Sequence, residues 1–177
     1  MACMLRKPRQ TRNGTSWGKK EKACTDEEKE DHGDQWDHVV MDAESKAIIS
    51  MTCGKRTKEN TEELIQDLAS RCNDGKPPEL FTTDDYSCYR DALLHVYGAW
   101  IIPERTGKPG RPKEPFQTDP EMQYSTVKKE RKRSRVVSVD TKQVYGTDAE
   151  LAAALESSSV SNAVNTSFVE RQNGTGR

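Results

Sequence analysis

Between Trp36 and Arg171 the chain changes its hydrophobic period again and again, and that alternation limits the folds open to it more than any other feature. "WDHVVM" and "KAIISM" are two β-prone runs joined by the turn-forming "DAES", so they read as a hairpin. A helix follows, with Asn60 as its expected N-cap, Glu63 as its partner, and Leu64, Ile65, Leu68 and Cys72 on one face. Asn73-Asp74-Gly75 should end that helix, and Pro77-Pro78 prevents it from resuming. "ELFTT" reads as a short strand closing at Asp84-Asp85, and "YRDALLHVYG" as a second helix stopped by Gly98. "RVVSV" and "KQVYG" are further β-prone pieces, Thr147 and Glu150 make a capping box for "DAELAAALES", and "NTSFVERQN" starts a last helix that Asn165 or Thr166 can cap. Strands alternating with helices in this order indicate a mixed α/β domain.

Composition qualifies that expectation. Apolar residues make up 32% of the 177, equal to the charged share, and aromatics only 6%. A typical globular domain is roughly 45–50% apolar, so the folded centre should be modest and its ends polar. Residues 1–33 show no usable periodicity and read as a disordered segment, basic and then acidic; the folded domain is expected over 34–177. Residues 103–135, rich in Pro and Gly at the start, read as a basic insertion within it. No run of 18 apolar residues exists to span a membrane, and the N-terminus lacks the apolar stretch of a secretory signal. Five cysteines without CxxC spacing fit neither a disulfide framework nor a zinc site, and read as reduced thiols of a cytoplasmic protein.

The net charge of −1 conceals strong segregation. Residues 1–22 carry a net +6, residues 26–37 a net −6, and residues 103–135 a net +5 concentrated in "KKERKRSR". Basic blocks on an otherwise acidic chain point to a polyanion, DNA first, with Lys128, Lys129, Arg131, Lys132, Arg133 and Arg135 as candidate phosphate contacts. The plainer alternative is a solvated, lysine-rich face.

Chemistry has few candidate positions. Asp84 stands at the carboxyl end of an expected strand, where open α/β sheets gather ligands. Turn chemistry alone also places Asp there. Glu170 begins a helix, a place a carboxylate also takes for the helix dipole. The cluster "DHGDQWDH" holds metal-ligand residue types in no recognisable spacing, and His95 reads as exposed or at the core's edge. Neither a Gly-rich phosphate loop nor a GxSxG elbow is present.

Four stretches taken together carry a resemblance. "GDQWDHVVMDAESKAIISMTCGKRTKENT", "LFTTDDYSCY", "YSTVKKERKRSRVVSV…VYGT" and "NTSFVERQNGT", in that order and spacing, resemble the DDE transposases of bacterial insertion sequences, in the insertion-sequence-one-like group. The resemblance implies an RNase H-like α/β domain. It implies two Asp and one Glu around Mg²⁺ or Mn²⁺ for DNA strand cleavage and transfer, DNA as partner, and a homo-oligomer in the intact family member. Asp84 matches the family's second Asp and Glu170 its acidic helix position, with Arg171 and Asn173 in the same motif facing the site or the DNA.

One departure matters. The family's first Asp precedes a Gly-Lys-Lys, and counting back from Gly18-Lys19-Lys20 finds Thr11-Arg12-Asn13-Gly14, without a carboxylate. The resemblance therefore implies a body lacking its first strand and most of its last helix, inactive in strand transfer, with Phe168 and Val169 short of packing neighbours. Asp34, Asp37 and Asp42 are the available substitutes, and Asp42 falls at the wrong end of the sheet. The alternative function is a non-catalytic DNA-binding remnant.

Overall fold

A computed structural model describes residues 2–6, 25, 36–72, 75–103, 114–133 and 135–175, with the backbone alone for 2–6 and 173–175. The elements are β1 (Ala2–Arg6), β2 (Trp36–Met41), β3 (Ile48–Gly54), α1 (Lys58–Arg71), β4 (Leu80–Asp84), α2 (Cys88–Tyr97), β5 (Trp100–Ile101), β6 (Phe116–Gln117), β7 (Gln123–Lys132), β8 (Arg135–Tyr145), α3 (Asp148–Ser157) and α4 (Ser167–Thr175). Six strands form one mixed sheet in the order β3-β2-β1-β4-β7-β8, and β5 and β6 form a separate two-stranded ribbon. No helix among the described residues is long and apolar enough to cross a membrane.

The hairpin read from the sequence is β2–β3, antiparallel, with Asp42 organising the turn. The Asp42 carboxylate accepts from the Ser45 amide at 3.0 Å and the Ser45 hydroxyl at 2.6 Å, and Lys46 takes a positive φ of 62°. α1 begins earlier than expected. Thr57, not Asn60, is its N-cap, and the Thr57 hydroxyl accepts from the Asn60 amide at 3.4 Å. Both residues are capping types, and β3 ends close enough that the helix can start at the first of them. Leu64, Ile65 and Leu68 are fully buried, as their spacing requires, and each such side chain contributes roughly 1.5–3 kcal/mol by leaving water. With Val40, Phe81, Tyr89, Leu93 and Tyr124 they make the main core, between the sheet and the α1–α2 layer. The Thr83 and Tyr124 hydroxyls satisfy each other there at 2.8 Å. The capping box of α3 is present, with the Glu150 amide donating to Thr147 and the Glu150 carboxylate accepting from the Thr147 amide at 3.1 Å.

Three expectations are corrected. The span 1–33 is not without order: Ala2–Arg6 forms β1, antiparallel to β2 (Cys3 opposite Val40) and parallel to β4 (Ala2 opposite Thr82). A strand lying between two others reads as a short continuous apolar run rather than an alternating one. Ala2-Cys3-Met4-Leu5 is such a run, too short to stand out by periodicity. A strand therefore precedes β2 in the sheet; the rest of 1–33, apart from Thr25, lies outside the described residues.

The second correction concerns 103–135. Residues 123–132 are no insertion but β7, a strand paired with β4 on one side (Thr83 opposite Thr126) and with β8 on the other. β4 pairs the uncharged first half, 123–127, and the basic second half, 128–132, extends past β4 on the β8 ladder alone. Third, Phe168 and Val169 are not short of neighbours. α4 lies against β1, Val169 is fully buried beside Met41, and the Lys46 ammonium sits 3.6 Å from the centre of the Phe168 ring.

Candidate functional site

Alternation along β4 separates two roles. Phe81 and Thr83 enter the α1–α2 core, while Thr82 and Asp84 belong to the opposite face, where α4 lies. The Thr82 hydroxyl donates to the Asn165 carbonyl at 3.3 Å, which ties the start of α4 over β4. Asn165 caps the turn that follows, its carboxamide oxygen accepting from the Ser167 amide at 3.1 Å. One turn on, Glu170 is level with the end of β4.

Asp84 and Glu170, paired by resemblance across 86 residues of sequence, thus line one cleft of about 440 Å³. Its remaining wall comes from Arg56 after β3, Asp85, Thr166, and β7 through Val127, Lys128, Lys129 and Arg131. It opens beyond the carboxyl end of β4, the position at which α/β sheets bind ligands.

Each carboxylate already has a cation. The Glu170 carboxylate is paired with the Lys129 ammonium and accepts from the Thr166 hydroxyl at 2.8 Å; its other oxygen is 3.8 Å from the Arg131 guanidinium. Asp84 Oδ2 is 3.5 Å from Arg56 Nη2. The Arg56 guanidinium is itself held between aromatic rings, 4.1 Å from the centre of Tyr86 and 5.3 Å from that of Trp36. The Tyr86 hydroxyl donates to the Arg56 carbonyl at 3.0 Å and fixes the loop. Asp84 Oδ1 is buried with no hydrogen-bond partner among the described residues. Burial pushes the Asp84 carboxyl above its ordinary range, and Arg56 and the Tyr86 amide offset this only in part.

The other candidates divide clearly. Lys128, Lys129 and Arg131 reach the cleft, while Lys132, Arg133 and Arg135 crown the exposed end of the β7–β8 hairpin, with Arg133 at a φ of 49° in its turn. Arg171 is exposed on α4 one residue past Glu170; Asn173 is placed by its backbone alone. Asp42 lies at the other end of β2 and lines, with Glu44, Leu80, Asn165 and Phe168, a second cleft of about 440 Å³ that contains neither Asp84 nor Glu170.

Within "DHGDQWDH", His38 is fully buried with Nε2 3.2 Å from the Lys55 carbonyl, so Nε2 carries the proton, and Nδ1 has no partner among the described residues. Asp34 lies outside the described residues, as does the span Thr11–Gly14. Continuing the β1–β4 register by two residues puts Met4 level with Asp84, and β1 contains no carboxylate.

Sequence reasoning missed Arg56 as a site residue. Its signal was the "GKRT" stretch of the resemblance, which carries no charge-pairing information by itself. Compared with family models, curated proteins and solved structures, the chain matches none.

Proposed function

We propose that this is a DNA-binding protein on an RNase H-like frame, akin to the DDE transposases of the insertion-sequence-one-like group, which holds DNA phosphates without cutting the strand. The fold reading is supported by the sheet. An antiparallel β1–β2–β3 unit shares β1 with a parallel β1–β4–β7 unit, and that frame carries Asp84 and Glu170 into one cleft as the resemblance requires.

The observation that carries the binding reading is the charge of β7. Lys128, Lys129 and Arg131 line the cleft with Arg56, and Lys132, Arg133 and Arg135 continue the same ladder outward. Arg56, Lys129 and Arg131 face the carboxylates inside, Lys128 lies on the other face of β7 opposite Asp140, and three more cations stand at the tip. Phosphate contacts from such an array supply affinity without reading sequence.

The residues fit a divalent ion poorly. Mg²⁺ and Mn²⁺ need oxygen ligands free to coordinate. Here Arg56, Lys129 and Arg131 occupy the carboxylates that would supply them. Asp84 Oδ1 alone of these lacks a partner among the described residues, β1 brings no carboxylate beside it, and although Asp85 also lines the cleft, no three carboxylates among the described residues converge on one point.

A labelled duplex titrated at several salt concentrations tests the reading. Binding should weaken with salt, and Ala at Lys132, Arg133 and Arg135 together should flatten the log–log slope by about 0.9 for each phosphate no longer neutralised. Salt-independent binding would remove the phosphate reading. Because Asp84 and Glu170 do share a cleft, a nuclease is the second reading. Nicking of plasmid in Mg²⁺ or Mn²⁺ that Asp84→Ala abolishes would replace the non-cutting clause with it.

A further inference from the structure

β8 ends the sheet, and its outer edge has no ladder partner among the described residues. An exposed edge of eleven residues is unusual, because long bare edges template pairing with another chain. This one also keeps apolar residues in water: Val136, Val137 and Val139 are 44%, 59% and 52% exposed. The register with β7 slips at Val137 and again at Val144, which leaves residues 138–143 as the regular part of the strand, paired one to one with β7.

A second copy of the same strand can add to that edge antiparallel, about a two-fold axis perpendicular to the sheet, only if some residue faces its own counterpart. Within 138–143 two such registers use five residues. Centred on Asp140, the pairing sets two like charges directly opposite, which destabilises it. Centred on Thr141, it sets Asp140 opposite Lys142 of the second copy, twice by symmetry, with Val139 opposite Gln143. The edge is self-complementary in that register.

We propose that β8 pairs with β8 of a second copy about Thr141, joining two six-stranded sheets into one. The inference rests on the sheet edge and not on the DNA reading. A perpendicular two-fold axis puts both Asp84–Glu170 clefts on the same face of the joined sheet.

Sedimentation of the full chain tests it, with charge-swap variants on β8; Asp140 also lies opposite Lys128 of β7, whereas Lys142 lies opposite Thr126, so the Lys142 swap disturbs no charge pair of the β7–β8 ladder. The wild type should approach twice 20.0 kDa as concentration rises. Asp140→Lys and Lys142→Asp should each replace two opposite-charge pairs with two like-charge pairs and loosen the dimer about tenfold to a hundredfold. An equal mixture of the two variants should recover it, since each lysine at these positions on one variant then faces an aspartate on the other. That recovery also shows that both variants are folded. A wild type that stays at 20.0 kDa throughout overturns the proposal. So does a dimer indifferent to both swaps, or a mixture that fails to re-associate.

Discussion

Glu170→Gln tests whether the cations of the cleft are held back from DNA by the carboxylate they pair with. In the wild type, Glu170 engages Lys129 directly and lies 3.8 Å from Arg131, so both cations spend their charge inside the protein. A glutamine keeps an oxygen to accept from the Thr166 hydroxyl, now at 2.8 Å, and so preserves the start of α4. It removes the charge and frees two cations for phosphate. If both then engage DNA, the salt slope steepens by about 1.8, twice 0.9. Between 50 and 200 mM salt that amounts to an extra weakening of about tenfold in affinity, with tighter binding than wild type at the low end. Fluorescence anisotropy of a labelled duplex, titrated at four salt concentrations, reads both quantities. Adding Arg131→Gln to the variant should return about half of the added slope, while in the wild-type background it should matter less. Unchanged slope and affinity, or weaker binding at low salt, would refute the assignment of Lys129 and Arg131 to phosphate contact.

The remaining expectations concern stability. Burial raises the Asp84 carboxyl pKa, so ionising it opposes folding, and stability falls as pH rises from the unfolded value of 3.8 through the raised folded one. Asp84→Asn should therefore melt higher than wild type at pH 7, with the gap closing as pH falls below 3.8; a variant that melts lower at pH 7 would contradict this. Burial holds the His38 imidazole below its ordinary 6.5, and its stabilising contribution is present above 6.5 and lost as pH falls beneath it. Its ring proton should titrate by NMR with a midpoint under 6.5, and a midpoint above that value would mean that the ring is paired with an anion. Leu68→Ala in the fully buried face of α1 should cost about 2–5 kcal/mol in urea unfolding. A change under about 1 kcal/mol would show that the core around α1 is not close-packed.

Local chemistry made part of this protein legible. The β2–β3 hairpin, the buried face of α1, the capping box of α3, and the end of β4 at Asp84 all follow from residues within a few positions of one another. The sharing of a site by Asp84 and Glu170 was accessible through resemblance alone, since no local pattern joins residues so far apart. Other features needed the fold. Ala2–Arg6 is a strand because β2 and β4 offer ladders on its two sides, and five residues hold too little pattern to announce that. The basic run after Val127 resembled a solvated loop until β8 took its backbone groups, continuing the segment 123–127 that β4 pairs. Arg56, stacked between Tyr86 and Trp36 and aimed at Asp84, draws on three separate loops and strand ends. Turns, helical faces and the cap of α3 depend on neighbours along the chain, so the order of residues is enough to read them, whereas at α1 the end of β3 decided that Thr57 and not Asn60 begins the helix. Ladder partners and charge pairs depend on neighbours in space, and which cation meets which carboxylate was open until the sheet brought β3, β4, β7 and α4 together.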